Sequence, residues 1–232
     1  MKKLTLLISL VSSVLIAGQT VSAIMLKFDD GTMAGGTVSY DGNIGGALVG
    51  TDIVINSVTG IGTPMFDGES LDIANGKLNF ITGGNLSKGP GNWEFASGGS
   101  FTLTGGIVGV TDSGSGAVVP LLSGSFGAVP VNPGLSGNGS VFVFNGFGID
   151  TKDNDMTGYF GIDPNLDWDF ASTAISFDIT TFDDNSLSPT YGKIEGTVNN
   201  ADIVNAVPDE STTVALLGLG LAGLGAIARR RK

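Results

Sequence analysis

The chain has 232 residues, among them 38 Gly, 22 Asp or Glu and 11 Lys or Arg, and it contains neither Cys nor His. That composition excludes thiol and imidazole catalysis, the usual zinc and haem sites, and any disulfide framework. A formal net charge of −11 excludes a nucleic-acid binder, which needs a basic surface to displace counterions from phosphates.

The first segment is a leader. Met1, Lys2 and Lys3 precede an apolar run from Leu4 to Ala17, and Val21-Ser22-Ala23 supplies a small-residue ending. These are the three zones of a secretory signal peptide, so residues 1–23 are expected to form a signal helix that is removed after Ala23.

Residues 24–206 are expected to form one domain, because sandwiches and barrels of this size usually close a single core. Five Lys face 20 Asp or Glu in this body, a net charge of −15, which keeps a surface soluble and self-repelling. Apolar and polar residues alternate with period two at Ile24 to Phe28, Leu71 to Ile73, Lys77 to Ile81, Trp93 to Phe95, Phe101 to Thr104, Ile175 to Thr180 and Lys193 to Val198. Alternation of this kind places every second side chain on one face of a strand. Val141 to Phe144 is apolar on both parities and predicts a central strand buried on two sides. Asp41-Gly42, Asn75-Gly76, Gly98-Gly99 and Asp163-Pro164-Asn165 are turn signals, and Asn-Gly in particular favours tight hairpins. Asp112 to Gly139 reads as a long connection interrupted by a strand at Val118 to Leu122. No stretch sustains a 3.6-residue period. The expected fold is all-β, a Gly-rich antiparallel β-sandwich or jelly-roll-like body with glycine at its bulges and turns.

Four kinds of chemistry can be tested against the body. Asp163, Asn165, Asp167 and Asp169 place oxygen-bearing side chains at every second position, a candidate set for calcium, which takes six to eight oxygen ligands. The run departs from an EF-hand loop, with Trp168 at its sixth position and Ala174 at its twelfth. Trp93 and Trp168 are candidates for sugar stacking, since flat aromatic faces offer apolar area while neighbouring carboxylates accept hydrogen bonds. Glycoside hydrolysis needs two facing carboxylates, and nothing in the sequence selects such a pair. Serine hydrolase chemistry lacks its base: Ser113 and Ser115 sit among glycines with no histidine anywhere in the chain. The protein is therefore expected not to be an enzyme.

The last segment, residues 207–232, opens on Val207, Pro208, Asp209, Glu210, Ser211 and Thr212. It continues through an uncharged run from Val214 to Ala228 and ends on Arg229, Arg230, Arg231 and Lys232. A helix over that run spans roughly 22 Å, and snorkelling arginines extend its reach toward the ~30 Å of a bilayer core. A transmembrane helix is expected, with its basic end on the cytoplasmic side and the body outside. This order of a Val-Pro-acidic-x-Ser-Thr signature, a Leu/Gly-rich helix and a basic cluster resembles the PEP-CTERM sorting signal of exopolysaccharide-producing Gram-negative bacteria. Val207, Pro208, Ser211 and Thr212 match that family's Val-Pro-Glu-Pro-Ser-Thr pattern, Asp209 keeps the acidic charge, and Glu210 replaces the second proline.

The resemblance implies an exosortase and the general secretion machinery as partners. It also implies a passage through the inner membrane and delivery to the cell surface or extracellular matrix. There the expected role is structural or adhesive, associated with exopolysaccharide or biofilm. A second reading is a calcium-dependent carbohydrate-binding module at the cell surface, which needs the aromatic and carboxylate sites above to be real.

Overall fold

The computed structural model describes residues 23–31, 35–87, 93–131, 140–144, 150–166 and 168–207. The signal segment, all of the tail beyond Val207, and Asp167 lie outside these residues. A compact unit runs from Ile24 to Pro208. Among the described residues no helix is long and apolar enough to cross a membrane; the run from Val214 to Ala228 is not among them.

Fourteen strands and one short helix make up the described body. The first half contains β1 (Met25–Asp29), β2 (Thr37–Tyr40), β3 (Ala47–Val54), β4 (Ser57–Ile61), β5 (Ser70–Asp72), β6 (Ala74–Gly84) and β7 (Trp93–Phe95). The second half contains β8 (Gly99–Gly106), β9 (Val119–Gly124), β10 (Val129–Val131), β11 (Ser140–Phe144), β12 (Asp150–Lys152), helix α1 (Asn154–Tyr159), β13 (Asp169–Phe182) and β14 (Ile194–Ala206). Every strand pairing is antiparallel.

Twelve strands share one sheet, in the order β12-β9-β8-β6-β3-β2-β14-β1-β4-β5, with β13 on β14 and β11 on β13. The remaining two, β7 and β10, pair with each other. Most of the described body is thus one branched antiparallel sheet, and its branch point is β14. This strand is 13 residues long. Its first residues, Ile194 to Thr197, pair with β2, and its last, Asp202 to Ala206, pair with β1. The opposite edge is taken by β13 along nearly its whole length. A strand long enough to hold two short partners end to end lets two arms diverge from one backbone.

The arms curl. Leu78 and Phe80 of β6 and Phe101 of β8 line a small apolar void of about 10 Å³ together with Thr173 and Ile175 of β13 and Ile203 of β14. These strands are separated along the sheet by β2 and β3, so the sheet has turned one face onto itself. Leu26, Phe28, Ile53, Val58, Leu103, Phe177 and Ile203 are fully buried in the resulting core, each contributing about 1.5–3 kcal/mol through removal from water.

The glycine content has two physical uses within the strands. Gly50 lies opposite Phe80 across the β3–β6 pair, and a Cβ at Gly50 would strike that ring. Gly196 of β14 makes the same space for the ring of Phe177. Each aromatic ring lies over backbone that carries no side chain, so large rings fit into an otherwise closely spaced sheet.

Several local expectations are corrected. Asn75-Gly76 does not turn a hairpin: it lies inside β6, with Asn75 at φ 54° and a register shift between Ala74 and Lys77. The αL residue makes a bulge because Ile55 N donates to Gly76 O at 3.3 Å, holding the chain extended. Val141 to Phe144 forms β11 as expected, and among the described residues it pairs with β13. A helix also appears where no helical period was visible. It lasts six residues, too short for a period to register, and is nucleated by Asp153, whose Oδ1 accepts the Met156 N–H at 2.9 Å.

Candidate functional site

The body's two chain ends meet. Met25 lies opposite Ala206, and Val207 N donates to Ile24 O at 2.8 Å. The residue after the predicted signal cleavage at Ala23 and the first residue of the tail motif are therefore hydrogen-bonded neighbours. Pro208, Asp209, Glu210, Ser211, Thr212 and the basic residues Arg229 to Lys232 lie outside the described residues.

Of the four calcium candidates, only Asp163 and Asn165 have described side chains, and these two meet. Asp163 Oδ1 accepts both the backbone N–H and the side-chain Nδ2 of Asn165, each at 2.9 Å. This closes the turn, and it holds the Asp163 carboxyl below the usual carboxylate range. Asp167 and the side chain of Asp169 lie outside the description, although the Asp169 backbone opens β13 opposite Ala206. Among the described residues no three acidic side chains gather in a way that could hold a metal ion.

The aromatic candidates are core residues. Trp93 is 2% and Trp168 4% exposed, so neither offers a flat face to a sugar. Trp93 packs edge-on to Phe182 with ring centroids 6.2 Å apart. Trp168 has a different neighbour, and it leads to a cluster that the sequence reading missed.

β12 pairs with β9 through Asp150↔Gly124, Thr151↔Ser123 and Lys152↔Leu122. Strand alternation sends Thr151 outward, where its hydroxyl meets Ser123 Oγ at 3.0 Å, and sends Asp150 and Lys152 inward together. Lys152 Nζ lies 2.7 Å from Asp150 Oδ1, and the two side chains are 1% and 0% exposed. Asn205, on the buried face of β14, donates from Nδ2 to Asp150 Oδ2 at 2.6 Å. The Trp168 ring covers the ammonium, with Nζ 3.7 Å from its centroid. Such a contact favours a cation once water is gone. Burial nonetheless pulls the Lys152 amine down to about 8, against the opposing charge and hydrogen bond of Asp150. Asn205 Oδ1 is buried without a hydrogen-bond partner.

This is a dry polar triad in which one carboxylate holds an amine with one oxygen and a carboxamide with the other. Sequence reading missed it because Asp150 and Lys152 look like ordinary loop charges and Asn205 sits 53 residues from Lys152. The available signal was the alternation Asp-Thr-Lys beside β-branched and apolar neighbours, which admits an inward charged pair. Beside the triad, Asp153, Asn154 and Asp155 border an open polar cleft of about 370 Å³ with Pro120, Ser123, Thr151 and Lys152. Asp153 caps α1, and Asp155 Oδ2 accepts the Ser113 N–H at 2.8 Å, so this acidic run organises local backbone.

A second buried acid stands apart from the triad. Asp30 follows β1 and is 2% exposed, with Oδ1 lacking a hydrogen-bond partner. Burial, reinforced by the charges of Asp29 and Asp202, pushes its carboxyl up to about 6. A folded state that holds this proton more tightly than the unfolded chain is favoured below the unfolded value near 4, and loses that advantage as pH rises through about 6. Asp30→Asn is expected to remove this loss and raise stability by about 1 kcal/mol above that range. Thermal melts at about pH 3 and about pH 7.5 should show a gap between the two proteins only at the higher pH.

Residues 206–232 match the VPDSG-CTERM motif. No curated protein and no solved structure matches the chain. The class defined is an exported protein sorted by a C-terminal signal, one related to PEP-CTERM. Val207, Pro208 and Asp209 coincide with the first three letters of that motif's name. Glu210, which replaces the second proline of the PEP-CTERM pattern, stands where the name of this motif has Ser.

Proposed function

We propose that the protein is a cell-surface or extracellular-matrix component, with a structural or adhesive role associated with exopolysaccharide and no substrate turnover. In this reading the secretion machinery removes residues 1–23. A membrane enzyme of the exosortase type then cuts near Val207 to Thr212, after the helix from Val214 to Ala228 has held the protein transiently in the inner membrane. The body is the part delivered, a curled, sandwich-like antiparallel sheet with a strongly acidic composition.

The observation that carries this reading is the match of residues 206–232 to a C-terminal sorting motif. The paired ends support it, since Val207 is still hydrogen-bonded to Ile24. A cut beyond Val207 would leave the last strand and its ladder intact. Processing is expected to depend on the signature itself. Pro208→Ala with Asp209→Ala should leave full-length chain in the membrane fraction and abolish the surface-exposed form, as read by fractionation and protease shaving. Delivery and trimming at the wild-type level would refute sorting through this motif.

A further inference from the structure

The Asp150, Lys152 and Asn205 cluster holds a buried amine, a carboxamide and a bridging carboxylate side by side. We propose that Lys152 and Asn205 join in an intramolecular amide bond, with Asp150 as the acid–base group, stapling β12 to β14. Each element of the reaction is present. The carboxylate is hydrogen-bonded to the lysine Nζ at 2.7 Å and to the Asn205 amide at 2.6 Å. Both side chains of the ion pair are buried, and in such a place a neutral amine beside a neutral acid competes well with the charged pair. The depressed basicity of Lys152 follows from the same burial. The amide oxygen has no partner. Turning the carboxamide about its last torsion presents that oxygen to Asp150 in place of the NH₂, a change that leaves its shape unaltered.

The chemistry balances without an oxidant or a co-reactant. Lys152 passes its ammonium proton to Asp150 Oδ1, leaving a lone pair on Nζ and a neutral carboxylic acid. Asp150 then donates a hydrogen bond to Asn205 Oδ1 and polarises Cγ, which Nζ attacks to form a tetrahedral centre. The surplus proton on Nζ and the proton on Asp150 are relayed to Nδ2. The Cγ–Nδ2 bond breaks with its electron pair on nitrogen, and the departing ammonia carries the second proton away as ammonium. The products are a secondary amide between Lys152 and Asn205, one ammonium ion, and Asp150 again as a carboxylate. Trp168 shields the amine from water throughout.

The position of the bond gives it a use. β12 ends the sheet order and is held by three residue pairs to β9, whereas β14 is the branch point. A covalent tie between them closes a loop of 52 intervening residues in a chain that has no cysteine to form a disulfide.

The test is peptide mass mapping of the full chain, shown to be folded by its β-type circular dichroism, then boiled in denaturant and digested. The expected result is a joined pair of peptides carrying Lys152 and Asn205, lighter than their sum by about 17 Da, one ammonia. Lys152→Arg keeps the charge but cannot form this bond, and should give only linear peptides. Asn205→Asp should join with loss of about 18 Da, one water. A folded wild-type chain whose Lys152 amine is free to react with an amine label in denaturant, with Asn205 in a linear peptide, would overturn the proposal. That outcome is independent of whether any variant folds.

Discussion

Asp150→Ala is expected to destabilise the body by about 3–5 kcal/mol, because it leaves the Lys152 amine and the Asn205 carboxamide buried without their common partner and, on the amide-bond proposal, unable to join. Among the described residues Asp150 is the ion-pair partner of Lys152. Without Asp150 it must stay charged in a dry pocket or give up its proton, and Asn205 loses the acceptor at 2.6 Å. Breaking such a pair costs more than replacing all of it. Asp150→Leu combined with Lys152→Met and Asn205→Leu is therefore expected to recover the part of the loss that comes from unpartnered polar groups, but not what the proposed amide bond contributes. Urea unfolding curves for the wild type, the single variant and the triple variant measure both steps. A single variant within about 1 kcal/mol of wild type would show that the cluster is solvated in solution.

Trp93→Ala is expected to cost a similar amount, about 3–5 kcal/mol, through the cavity it leaves. The indole lies in β7, opposite Val131 of β10, and packs against Phe182 at the end of β13. It therefore ties the two-stranded sheet to the large one. Trp93→Phe keeps part of that packing and should cost clearly less. If Trp93 instead faced solvent as a sugar platform, Trp93→Ala would leave the unfolding midpoint unchanged and remove binding to a polysaccharide.

What could be read from the sequence depended on how long the alternation runs without a break. β13 and β14 contain Ile175-x-Phe177-x-Ile179 and Ile194-x-x-x-Val198, and these residues face the core as the pattern requires. β3 was not legible, because Asp52 at φ 53° and a register shift between Gly50 and Ile53 change its phase halfway along. Leu48 and Ile53 are both buried, yet an odd spacing separates them. β2 was missed for a different reason: its four residues place Val38 and Tyr40 inward between a Thr and a Ser, too short a run to stand out from the glycine-rich sequence around it. The branching at β14 was invisible, since nothing local says that a strand will hold two partners along one edge.

The candidate sites divided along the same line. The tail signature is contiguous, so its residues could be named from the sequence, and a sorting motif does cover 206–232. Trp93 and Trp168 were chosen for chemistry that needs exposure, which only the packing decides. The Asp150, Lys152 and Asn205 cluster depends on a long-range meeting of β12 with β14 and on an inward-facing charge, and composition argues against both.

The central claim, that the protein is exported and sorted through its C-terminal segment, is tested most directly by the intact mass of the mature protein from its native host. A mass that begins at Ile24 and ends within or just after Val207 to Thr212 is expected, with the tail retained when the sorting enzyme is deleted. A mature chain that still carries Val214 to Lys232 in cells with the enzyme intact would contradict the account.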